Sequence, residues 1–253
     1  MCILVLAWRD RPGERLVLLG NRDESHERRS APAAWWSDAP WVLGGRDLEA
    51  GGSWLGVTRR GRFAVVTNLR EPRDAPPERP RSRGLLVQDF LCGDRPPAGF
   101  AADATAAGAR YSGFNLIVGD RDSLWYASNR AAPRALAAGV HALSNATLDR
   151  PWPKVERLRR RFAAARAAGD EALLELLRDR TPAADADLPD TGLGLERERA
   201  LSSAFVVSAG YGTRASSLLA LDDAGAARFQ ERGFDAAAQP LERRHFAFRL
   251  EAA

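Results

Sequence analysis

Cys2 is the residue in this chain best suited to covalent chemistry. A small residue behind an initiator methionine normally permits removal of Met1. That would give Cys2 a free α-amine with a pKa of about 7.7–8.0, close to that of a useful general base. Thiol and base would then sit on one residue, and no separate histidine is needed to activate the sulfur. Position alone leaves a second reading open, a small buried apolar residue in a strand.

The next chemical signal is Gly20-Asn21-Arg22-Asp23-Glu24. It follows the second of two short apolar runs, so hairpin pairing would bring it beside Cys2. Asp23 there can hold an amine or thiol by a charge-assisted hydrogen bond, and Arg22 can lower a thiol pKa. A turn in which Asn and Asp bond their own backbone is the alternative. Three further polar groups stand at expected strand ends: Thr67-Asn68, Ser144-Asn145 and Gly212-Thr213-Arg214. Amide side chains in such places can donate to a developing oxyanion. Turn formers and, for Arg214, a surface ion pair are the plainer accounts.

These groups need elements to position them. Apolar runs over 2–8 and 15–20, separated by Arg11-Pro12-Gly13-Glu14, predict an N-terminal β-hairpin. Residues 53–58 and 62–68 predict a second one. Helices are expected over 82–91, 100–109, 152–167 and 170–177; Val155, Leu158, Phe162 and Ala165 give 152–167 the clearest period. Strand character returns at 114–118, 124–127, 140–143, 204–208, 216–221, 227–232 and 246–250. Residues 71–80 read as a proline-rich loop, with 72–81 a solvated connector or a docking loop. Hairpin connections and this order predict an α+β fold of mainly antiparallel sheets with helices outside, in one domain over 1–253.

Composition narrows the function classes. The 253 residues are 45% hydrophobic and 28% charged, an ordinary globular balance able to fill a core. The formal charge of +4 comes from arginines that alternate with acids, as in Glu196-Arg197-Glu198-Arg199, which reads as a solvated surface and not a nucleic-acid patch. Lys154 is the single lysine; Schiff-base chemistry is not expected, and a role at the start of a helix is the simpler account. Two cysteines and three scattered histidines match no disulfide framework or metal spacing. No apolar run approaches the ~20 residues of a membrane-spanning helix. The start lacks the basic region of a signal peptide, so a cytoplasmic location is expected. The GxGxxA spacing at 210–215 is followed by an apolar run and a hairpin signal, not a helix, which argues against a dinucleotide turn.

Cys2 and Asn21-Arg22-Asp23-Glu24, taken with Gly44-Gly45-Arg46-Asp47, Gly51-Gly52-Ser53-Trp54-Leu55-Gly56, Thr67-Asn68-Leu69-Arg70, Gly113-Phe114-Asn115-Leu116, Ser128-Asn129-Arg130, Leu143-Ser144-Asn145-Ala146, Pro151-Trp152-Pro153-Lys154 and Gly212-Thr213-Arg214, resemble the NRDE family, also called the transport and Golgi organisation protein 2 family. The resemblance spans nearly the whole chain. It implies an N-terminal-nucleophile (Ntn) hydrolase-like fold, a four-layer αββα sandwich. Cys-type Ntn amidases are similar; they read Arg-Asn-x-Asp where this chain has the tighter Asn-Arg-Asp. By that resemblance Cys2 is the nucleophile, Arg22 and Asp23 its tuners, Asn68 and Asn145 the oxyanion donors, and Arg214 an electrostatic partner. Asn21, Glu24, His26 and Trp36 are the candidate substrate-binding residues.

The resemblance implies a Cys-type hydrolase or acyltransferase acting on an amide or acyl thioester. The alternative is a non-catalytic carrier in haem mobilisation or in acyl-CoA and lipid handling. For the carrier, Trp35, Trp36 and Trp41 near Arg28 and Arg29 would line an apolar site, against ordinary core and loop packing of the rings. No metal and no obligate cofactor are expected; haem enters only as a ligand, and the partner is a small acyl compound or haem. The oligomeric state is left open.

Overall fold

The computed structural model describes residues 2–70 and 80–252. The proline-rich stretch 71–79 and Met1 lie outside them, and with them most of the candidate docking loop. The elements run β1 (Cys2–Arg11), β2 (Glu14–Ser25), β3 (Ser30–Trp35), β4 (Val42–Asp47), β5 (Leu55–Thr58), β6 (Phe63–Asn68), α1 (Gly84–Cys92) and α2 (Pro97–Ala106). There follow β7 (Phe114–Gly119), β8 (Leu124–Ser128), β9 (Arg134–Ala135), β10 (Gly139–Leu143), α3 (Pro153–Ala165), α4 (Gly169–Leu176) and α5 (Leu195–Ala200). The chain closes with β11 (Val207–Ser208), β12 (Tyr211–Asp222), β13 (Ala226–Phe234) and β14 (Pro240–Arg249).

Two antiparallel sheets result. The first has the order β10-β1-β2-β12-β13-β14, with β11 on β12; the second runs β3 to β9 in sequence order. Strand alternation sends Leu4, Leu6, Trp8, Leu16 and Leu18 inward against Leu55, Val57, Phe63, Val65 and Ile117 of the second sheet. The odd residues Ile3, Val5, Ala7, Val17 and Leu19 face out onto Val155, Leu158 and Phe162 of α3 and onto Leu173 and Leu174 of α4. On the opposite side Val42, Ala64, Val66 and Leu116 meet Leu86, Val87 and Phe90 of α1 and Ala101 of α2. The molecule is therefore an α+β sandwich of four layers. Because β1 is covered on both faces, its residues 3–8 are apolar without a break.

Where the strands end differs from the sequence-based expectation. The polar run Asn21-Arg22-Asp23-Glu24 does not terminate β2 but continues it to Ser25. Its backbone groups are taken up by β12, which pairs Gly212 with Glu24 and Thr213 with Asp23. Strands β3 and β4 were not anticipated from the sequence. Pro32 is tolerated because β3 is the edge of its sheet and carries an irregularity between Ala31 and Ala34. Of 204–208, only Val207 and Ser208 pair as a strand.

The edge strand β10 is fastened by His141 and by Asp149, whose Oδ1 accepts from the Ala142 N–H at 2.9 Å. His141 Nδ1 lies 3.1 Å from Asp149 Oδ2 and Nε2 lies 3.0 Å from the Ala137 carbonyl, so both nitrogens meet acceptors. The Asp149 hydrogen bond, working against burial, raises the His141 pKa above its ordinary value. A raised histidine stabilises the fold fully below its unfolded pKa of about 6.5 and loses that contribution as pH climbs through the folded value. Urea titrations should therefore show the wild type losing its advantage over His141→Asn as pH rises from the ordinary histidine value of about 6.5 through the raised folded value. A pH-independent gap would mean that the imidazolium is not what fastens β10.

Candidate functional site

Cys2 opens β1 and pairs with Arg22 across the hairpin. At this end of the sandwich the sheets part around a cleft of about 540 Å³ whose wall includes Cys2, Arg22, Asp23, Glu24, Asn68 and Tyr211. The Cys2 side chain is half-buried. Burial pushes its thiol pKa up and the Asp23 carboxylate adds to that, while the Asp23 backbone N–H and the Arg22 guanidinium act the other way.

Neighbours on a strand point to opposite faces, so Arg22 and Asp23 do not work as a pair. Arg22 shares the inner face with Cys2 and stacks on Trp54, its guanidinium carbon 4.4 Å from the ring centroid. Trp54 occupies the place a side chain at Gly45 would take: a Cβ there would fall 2.1 Å from the indole. The glycine pairs at 44–45 and 51–52 thus serve the site through packing. Asp23 points to the helical side, is 1% exposed, and accepts a hydrogen bond from Thr213 Oγ1 at 2.7 Å. Burial pushes its carboxyl pKa up; Lys154 and the Thr213 hydroxyl pull it back. The Tyr211 hydroxyl donates to the Asp23 carbonyl at 2.9 Å.

Across the cleft, Asn68 ends β6. Asn145 Nδ2 donates to its carbonyl at 3.0 Å and to its Oδ1 at 2.7 Å. The backbone acceptor fixes which end of Asn145 is the amide nitrogen, and this in turn fixes Asn68 with Oδ1 toward Asn145 and its own NH2 left to donate. Asn145 itself is fully buried behind Asn68. The two amides therefore form a relay, not two parallel donors. Residues 144–146 also bind both sheets: Ser144 Oγ donates to the Cys2 carbonyl at 2.9 Å, and Thr67 Oγ1 donates to the Ser144 carbonyl at 3.1 Å.

Four other candidates lie elsewhere. Asn21 faces the helices, its Nδ2 donating to the Leu177 and Ala204 carbonyls at 2.9 and 2.8 Å. Arg214 Nη1 is spent on the carbonyls of Ser25, His26 and Arg28, at 2.9, 3.2 and 3.3 Å, and so pins the loop after β2. The His26 ring lies against Gly212. Trp36 is buried beneath α1 with Nε1 donating to the Gly44 carbonyl at 3.0 Å. The tryptophans proposed to line one apolar site diverge: Trp35 packs on Phe248 and Trp41 is 45% exposed. Arg28, by contrast, lines the cleft and is held by Asp47 at 2.6 Å. Among the described residues no three His, Cys, Asp or Glu side chains gather as metal ligands, and no helix is long and apolar enough to cross a membrane.

The whole-chain pattern is decided by comparison with known families: the model for Transport and Golgi organisation 2 matches residues 1–236. The chain belongs to this family. The mouse Transport and Golgi organization 2 homolog is 34% identical over 257 residues, covering 92% of each chain. The human homolog is 33% identical over 277 residues, covering 99% of this chain and all of its own. Among solved structures, the Caenorhabditis elegans N-acylethanolamine-hydrolyzing acid amidase ortholog superposes with a TM-score of 0.50 over 86% of this chain and 92% of its own. At 10% identity that likeness is one of fold, and it gives this Transport and Golgi organisation 2 protein an Ntn-hydrolase-like architecture.

Sequence reasoning missed Thr213 and Tyr211 as partners of Asp23, although Thr213 stands inside a motif it singled out. It placed Lys154 correctly at a helix start, but missed its burial. Lys154 is 3% exposed and its Nζ donates to the Leu201 carbonyl at 2.8 Å. One lysine in so arginine-rich a chain was the available signal.

Proposed function

We propose that this protein is a Cys-type Ntn hydrolase or acyltransferase that takes an acyl group from an amide or acyl thioester. The observation that carries the reading is the meeting of Cys2, Asp23 and the oriented amide of Asn68 at one cleft. With Met1 removed, the α-amine of Cys2 accepts the thiol proton as sulfur attacks the substrate carbonyl. The carbonyl π pair moves onto oxygen, where the Asn68 NH2 donates to the oxyanion. Collapse breaks the C–N or C–S bond, the ammonium returns the proton to the leaving group, and a thioester forms on Cys2. Water or an acceptor, deprotonated by the same amine, then attacks the thioester and releases the thiol.

The cleft is polar on its outer wall, with Arg28, Arg81 and Arg83 beside Arg22. That supports a substrate with an anionic group, and it equally favours the second reading, a carrier for acyl-CoA or haem. Both cysteines are free thiols, and a cysteine nucleophile keeps its thiol in a reducing compartment, which favours the cytoplasm. Intact mass of the native protein, before and after exposure to a panel of amides and acyl thioesters, separates the readings. Loss of Met1 and an acyl adduct on Cys2 support catalysis. Retention of Met1 in active protein, or saturable binding with no adduct, would leave the carrier.

A further inference from the structure

Lys154 sits where a lysine is hardest to keep. It is the second residue of α3, the end at which the helix dipole opposes a cation. It is almost fully buried, and an ammonium out of water is costly unless carboxylates face it. The bond to the Leu201 carbonyl satisfies a proton but no charge. Two carboxylates lie within electrostatic reach, Asp23 and Glu198. Glu198 is already held by Arg70 and by the Thr191 N–H at 3.0 Å. Asp23, on the helical side of β2, receives a neutral hydroxyl from Thr213. Lys154 does not line the cleft; it backs onto a small cavity with Trp152 and Leu201. Asp23 acts on Lys154 more strongly than Cys2 does.

From this placement we infer that Lys154 is a positioning residue for the N-terminal base: its ammonium offsets the Asp23 carboxylate, so that the α-amine of Cys2 remains a free base. This rests on the reading in which that amine is exposed. A buried carboxylate beside an amine raises the amine pKa and holds it as ammonium, unable to take the thiol proton. A second cation on the far side of the carboxylate reverses that. Burial pulls Lys154 down to about 8, which still leaves it charged at neutral pH. Glu24 and Tyr211 face Asp23 from β2 and β12. Arg70 faces Lys154, and on the solvent side Arg157 and Arg161 pair with Asp179 at 3.7 and 2.9 Å.

The single lysine makes the test direct, because amine reagents find only the α-amine and Lys154 in the wild type and only the α-amine in Lys154→Met. Protein with Met1 removed is trace-labelled with acetic anhydride across pH, and N-acetylated Cys2 is quantified by peptide mass. Lys154→Met should raise the α-amine midpoint by about one pH unit, and Lys154→Arg should return it near the wild-type value. Asp23→Asn, of the same shape, should lower it, which keeps the inference testable if Lys154→Met does not fold. An unmoved midpoint in Asp23→Asn, or in a folded Lys154→Met, overturns the inference. No turnover is needed, so failure to find an acyl adduct would count against the acyl-transfer reading and not against this one.

Discussion

Cys2→Ala is expected to abolish acyl transfer, while Asn68→Ala should keep the nucleophile and lower kcat by about 10²- to 10³-fold with little change in KM. The second figure is the effect of losing one preorganised oxyanion donor, about 2.7–4 kcal/mol of transition-state stabilisation. The split between kcat and KM follows because the amide meets charge that exists only in the transition state. Asn145→Ala should reproduce much of the Asn68 loss without touching substrate, since Asn145 holds Asn68 Oδ1 at 2.7 Å and so aims its NH2. Single-turnover acylation followed by intact mass reads all three variants. Turnover in Cys2→Ala at the wild-type rate would remove the nucleophile, and a rise in KM alone for Asn68→Ala would make that residue a binding group.

The largest stability effect should come from a glycine. Gly52 has φ of +77°, and a Cβ built on it would lie 2.3 Å from the carbonyl carbon and oxygen of Gly84. Those atoms belong to the backbone at the start of α1, so no side chain can swing aside. Gly52→Ala should cost more than about 3 kcal/mol, lowering the melting temperature by about 10 °C. Gly51→Ala is the control: φ is +71°, but the nearest atom is Leu85 Cδ2 at 3.8 Å, so only the backbone penalty of about 1 kcal/mol applies. Equal melting temperatures for the two variants would show that the approach to α1 is not the constraint.

Much of the frame was legible in the sequence because local signals agreed with tertiary demands. Turn chemistry at 11–14 marked the first hairpin, and the 3.6-residue period marked α3. The misses have physical causes. Polar side chains at 21–24 disguised the continuation of β2, because their burial depends on β12, some 190 residues later. Gly44 and Gly45 weakened the strand signal of β4; they are small because Leu55 and Trp54 press against them. Helix α5 was hidden in the alternating charges of 196–199, read as a solvated surface, although Glu198 turns inward to Arg70. In the site, hairpin pairing pointed to Arg22 and Asp23 beside Cys2, and Asn68 entered as a strand-end amide and through the family resemblance. The sequence did not reveal that Arg22 and Asp23 part to opposite faces, or that Asn145 stands behind Asn68, since both depend on which face of the pleat each residue takes.

The stitch made by residues 144–146 has a mechanical consequence. Cys2 belongs to one sheet and Asn68 to the other, and the same short segment grips the Cys2 carbonyl, the Thr67 hydroxyl and the Asn68 carboxamide. The gap between attacking sulfur and anion-stabilising nitrogen is thus set by how far the two halves of the sandwich stand apart at this rim. Shear or breathing of the layers there would detune reactivity before any strand came undone, whereas slack at the opposite rim would go unnoticed.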